Sequence, residues 1–153
     1  MMSCRRRNLL YILALLLTVL ALFGHSKNAT AASASGGEAI YSPMTEPGSR
    51  VPIGEGHYLV YGFDKKPKLG TVIMKVDVYT ADGTRDTTFQ LKGDSGMPSM
   101  RGAHETGDRK FQLSKKGSYL LPISIVMPGD WEIRLTVMKD GKVFFRGRYN
   151  FDV

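Results

Sequence analysis

From Gly56 to the C-terminus, apolar and polar residues alternate in short runs, each bounded by Gly, Pro or Asp. A period of two puts neighbouring side chains on opposite faces of an extended chain, so each run predicts a half-buried strand. Residues 57–63 form the first. Residues 71–80 form a clearer one, with Val72, Met74, Val76 and Val78 on one face, and Asp82-Gly83 turns the chain after it. Residues 87–92 follow, with Phe89 and Leu91 aligned. Residues 110–113 and 118–126 predict two more strands, the second presenting Tyr119, Leu121, Ile123 and Ile125 together. Residues 131–137 alternate from Trp131 to Val137, and Asp140-Gly141 supplies the positive φ angles of a type I′ hairpin turn. The return strand, 143–153, places Val143, Phe145, Tyr149, Phe151 and Val153 on one face. Phe144, Arg146, Arg148, Asn150 and Asp152 fall on the other. No stretch here has a 3.6-residue apolar period. About seven short strands separated by turn residues predict an all-β fold, an immunoglobulin-like β-sandwich. Trp131, Ile133, Leu135 and Val137 are expected to share its core with Val76, Tyr119, Leu121, Ile123 and Phe151.

Upstream the pattern changes. An apolar run from Leu9 to Phe23, broken only by Thr18, follows Arg5-Arg6-Arg7 and precedes the small-residue stretch Ala29-Thr30-Ala31. A basic segment, a short apolar segment and an A-x-A site are the parts of a secretory signal peptide. The run is shorter than the roughly 20 apolar residues a membrane span needs. The expected organisation is a signal peptide at 1–31 cut after Ala31, a flexible Gly/Ser/Pro-rich segment at 32–56, and the sandwich at 57–153. The alternative is an uncleaved anchor, giving membrane association through the N-terminal segment. Both predict an exported protein, periplasmic or otherwise extracytoplasmic, since the folded part faces the same side.

Export alters the charge balance. Removing Arg5, Arg6, Arg7 and Lys27 leaves 17 basic against 14 acidic residues, a net charge of +3 instead of +7. The basic character of the full chain is mostly that of its leader and does not indicate a nucleic-acid partner, which would need a clustered basic stripe. The only cysteine, Cys4, precedes the apolar run and leaves with it. The mature protein then has no thiol, and soft-metal ligation falls to Met and His.

The sequence contains no G-x-S-x-G, H-E-x-x-H, Cys-x-x-Cys or phosphate-cradling glycine loop, and the chain is expected not to be an enzyme. One constellation stands out between the predicted strands. Met97 and Met100 are three apart, and His104 lies four further on, in a loop of Gly, Ser, Pro and charge. Thioether sulfur suits Cu(I) and imidazole suits copper in either oxidation state. Met97, Met100 and His104 are therefore candidate Cu(I) ligands, with Met127 arriving from the turn before Trp131. The competing reading makes the methionines gap-fillers and His104 a solvated loop residue. Met74 is expected in the core and Met138 at the opposite end of the sandwich. Met44 falls in the flexible segment, and a structural role is expected for His57.

Met97-Pro98-Ser99-Met100, Gly117-Ser118-Tyr119 and Met127-Pro128-Gly129-Asp130-Trp131-Glu132-Ile133 together resemble the YtkA-like/FixH-like group of small bacterial extracytoplasmic β-sandwich domains. The resemblance spans roughly 71–153. The histidine that this group carries directly after the Met-Gly of its loop is absent, and Arg101-Gly102-Ala103 intervenes between Met100 and His104. The resemblance implies copper handling and assembly of haem–copper oxidases, with a copper-accepting or other envelope protein as partner. The alternative is a metal-free interaction or accessory module of an envelope complex, using Phe144 and Tyr79 as exposed aromatics on polar strand faces.

Overall fold

The computed structural model describes residues 39–103 and 105–153. They form an all-β sandwich of two five-stranded sheets. In chain order the strands are β1 (Ser42–Pro43), β2 (Arg50–Gly54), β3 (His57–Phe63), β4 (Gly70–Thr80), β5 (Gln90–Gly96), β6 (Arg109–Lys110), β7 (Gln112–Leu113), β8 (Tyr119–Ile125), β9 (Asp130–Lys139) and β10 (Lys142–Asp152). One sheet runs β1-β10-β9-β5-β6 and the other β2-β3-β4-β8-β7. A single turn of 3-10 helix, Pro98–Met100, follows β5. The leader-like segment and the cleavage site expected after Ala31 lie outside the described residues.

The long strands follow their alternation. In β4 the inward positions Val72, Met74 and Val76 pair with Ile123, Leu121 and Tyr119 of β8, and all six are buried. Trp131, Ile133, Leu135 and Val137 of β9 are buried in the facing sheet. Phe151 is half-buried against the same core. The β9–β10 hairpin turns through Asp140 and Gly141 at φ 50° and 76°, as a type I′ turn requires.

Four segments depart from the expected pattern, each for a local reason. Residues 42–54 contribute β1 and β2 to the sandwich, although Pro43, Pro47 and Pro52 read as linker. Both strands are sheet edges, where a missing N–H is tolerated. Met44 behind them is buried against Gly147 of β10, where a Cβ would stand 2.7 Å from its sulfur. The strand expected at 87–92 instead runs Gln90–Gly96. Its start is delayed because Asp86 accepts hydrogen bonds from the Thr88 amide (2.9 Å) and hydroxyl (2.6 Å). Its continuation is carried inward by Gly93 and Ser95, too small to register as core. The strand expected at 110–113 breaks at Phe111, where the chain leaves one sheet for the other. In β10 a bulge between Val143 and Phe145 reverses the facing there, leaving Val143 exposed and packing Phe144 against the core.

Candidate functional site: the methionine end of the sandwich

β5 and β9 are antiparallel, with Gly96 opposite Glu132. The chain leaving β5 therefore emerges beside the turn that enters β9. Met97 points into the core at 5% exposure, and its methyl lies 2.8 Å from where a Cβ on Gly129 would be. A Cβ at position 129 would require that methyl to shift. Met127 is half-buried against the same core, and its carbonyl accepts the Trp131 indole N–H at 3.0 Å. The turn is closed from the other side by two reciprocal backbone hydrogen bonds between Gly129 and Val153.

The residues after Met97 are tied down one by one. Met100 N–H donates to the Met97 carbonyl at 2.9 Å. The Ser99 amide (3.1 Å) and hydroxyl donate to the Asp130 carboxylate, and the Ser99 hydroxyl above all holds that carboxyl below its ordinary pKa. Arg101 reaches Glu132 at 3.1 Å. Glu132 is buried on β9, where Arg134 also contacts it at 2.7 Å and Arg148 at 4.0 Å. A loop of Gly, Ser and Pro composition is thus anchored at Met97, Ser99 and Arg101. Met100 stands between two anchors with its side chain 41% exposed.

The structure brings Met97 against the 127–130 turn and leaves Met100 on the surface beside them. His104 lies outside the described residues. Met74 is core, as expected. β9 runs ten residues from Asp130 to Lys139, about 30 Å at the rise of an extended strand. Met138 is therefore at the far end. His57 is also there, since its ring contacts Phe144 and Phe89 and its Nε2 lies 3.3 Å from Asp86. Lys139 approaches the same Asp86 carboxylate at 3.3 Å. Burial pushes the Asp86 pKa up, but the Thr88 hydrogen bonds and Lys139 outweigh it and bring it down to about 2.

Phe144 and Tyr79 are not exposed handles. Phe144 packs edge-on against Phe89 at 5.2 Å, and Tyr79 stacks on Tyr58 at 5.3 Å. Among the described residues no three His, Cys, Asp or Glu side chains stand close enough to share a metal ion. What the methionine end offers is thioether sulfur, and that fits the soft Cu(I) ion.

A solved structure shares the architecture. FetP of uropathogenic Escherichia coli strain F11, as isolated after recombinant expression in the periplasm, matches with a TM-score of 0.50 at 12% identity, over 70% of this chain and 93% of its own. A copper-bound single-substitution variant of FetP gives 0.49 at 12% identity, over 69% and 93%. The likeness to the as-isolated structure is one of fold, a β-sandwich. No protein-family model and no curated protein matches the sequence.

Sequence reading missed the groups that hold the loop. Asp130 and Glu132 flank Trp131 at positions the alternation assigns to solvent, so nothing marked either as an anchor. The spacing of Met97 and Met127 gave the convergence only as a suggestion.

Proposed function

We propose that this chain is a non-enzymatic extracytoplasmic binding domain of the YtkA-like/FixH-like kind, and that its methionine end takes up Cu(I) and yields it to a partner in the cell envelope. The observation that carries this reading is the anchoring of the loop on both sides of Met100, with Met97 seated on the turn that holds Met127. Holding the donors in place before the ion arrives lowers the ordering cost of binding. Met100 and His104 are the donors that would meet the ion from outside, with Met97 and Met127 behind them. Bound copper would supply a soft, exchangeable charge and no further chemistry of its own. Export is supported by the basic, apolar and small-residue order of the N-terminal segment. Support for copper comes from this chain's own donors rather than from the copper bound to FetP.

The test is Cu(I) titration of the exported protein against a competing chelator. Met100→Leu should weaken binding and leave the unfolding midpoint unchanged. Met97→Leu should also weaken it, at a stability cost below about 1.5 kcal/mol because the swap conserves volume. His104→Ala should weaken it most above the imidazole pKa, since protonated imidazole cannot ligate. A wild-type protein that does not compete with the chelator overturns the proposal. So does an affinity unchanged when all three substitutions are combined.

A further inference from the structure

Where the chain passes from β6 in one sheet to β7 in the other, the side of the sandwich is left open. The opening is a crevice of about 260 Å³. Phe89, Leu91, Phe111 and Tyr119 line it, and each is buried in the core cluster. The one hydroxyl among these four, on Tyr119, is committed to the Phe89 carbonyl at 2.8 Å, so the floor is apolar. Leu113, at 49% exposure, stands at the rim.

Lys92 and Lys110 also line the crevice and are direct cross-strand partners. Like charges in that position repel. Neither ammonium makes an ion pair or hydrogen bond with another described residue. Two lysines with no described ion-pair partner thus border an otherwise apolar hollow. Gln90 opposite Met138 places the crevice toward the hairpin end of the sandwich, away from the methionine loop.

We propose that this crevice binds a small amphiphilic carboxylate, with its apolar chain on Phe89, Leu91, Phe111 and Tyr119 and its carboxylate between Lys92 and Lys110. Neither half of the site suffices alone. The hollow lies just below the usual range for small-molecule sites, about 300–1,000 Å³, so a chain of a few carbons suits it better than a long lipid. The two lysines are solvated, so without burial of the chain their attraction for an anion would be weak.

The test uses the exported protein and three probes, octanoate, octylammonium and acetate, followed by backbone amide shifts. Octanoate should move the amides of Gln90, Leu91, Phe111 and Leu113 in a saturable way. Acetate and octylammonium should leave them unmoved over the same range. Lys92→Gln with Lys110→Gln should weaken octanoate about tenfold, the size expected for two exposed charge contacts. Leu113→Asp, at an exposed position that folding tolerates, should abolish binding. Octylammonium binding as tightly as octanoate, acetate binding as tightly as octanoate, octanoate shifts confined to another surface, or an unchanged affinity in the double lysine variant would each overturn the proposal.

Discussion

Trp131 joins packing to the methionine end through one side chain. Its ring is 1% exposed and its indole N–H fixes the Met127 carbonyl. Trp131→Ala should cost about 3–5 kcal/mol, the range for emptying a buried aromatic site, read from urea unfolding. A cost below about 1 kcal/mol would mean that the ring does not anchor β9. Trp131 was legible in the sequence because alternation through Val137 put it on the apolar face. Its neighbours were not, since a carboxylate flanking a core residue reads as solvated. Glu132 is instead buried among three guanidinium groups, two of them from distant strands or loops. Only tertiary pairing creates that environment. His57 and Asp86 are likewise 29 positions apart in the sequence, and nothing local announces their contact.

Strands were legible wherever large apolar residues marked every inward position, as in β4, β8 and β9. They were obscured where the inward residue was small, as at Gly93 and Ser95 in β5, or where a bulge reset the period, as at Val143. The far end of the sandwich shows how elements are joined when no strand pairing does it. Asp86, before β5, accepts from Thr88 and contacts both His57 of β3 and Lys139 of β9. Its carboxyl has a pKa of about 2 in the folded protein and near 3.9 in an unfolded chain. Because the folded value is the lower one, the stabilisation is fully present above about pH 4 and is lost as pH falls toward 2. It amounts to something on the order of 2 kcal/mol. Asp86→Asn should therefore flatten the fall in stability between pH 4 and pH 2, measured by denaturant unfolding across that window. Parallel pH profiles for wild type and variant would assign the acid sensitivity to other carboxylates.

At the scale of the molecule, the boundary of the folded unit is the point where sequence and structure part most widely. Proline and glycine punctuation assigned residues 32–56 to a flexible segment, yet β1 lies parallel to β10 and β2 pairs with β3. Met44, Val51 and Ile53 are all buried in the core. Proline content misleads here because edge strands need hydrogen-bond donors on one side only. The consequence can be tested by truncation. A chain beginning at Ala39 keeps every described strand and should unfold at the same temperature as the full-length chain. A chain beginning at His57 loses both edge strands and three buried side chains. At about 1.5–3 kcal/mol for each, the loss approaches the 5–15 kcal/mol that holds a typical domain together. It should lack a cooperative thermal transition. Met44 carries a separable part of this loss, because it fills the space left by Gly147. Met44→Ala in the chain beginning at Ala39 should cost about 2–5 kcal/mol while leaving β2 in place. If the chain beginning at His57 melts cooperatively at the full-length temperature, β1 and β2 are appendages, and the domain starts where the alternation first suggested.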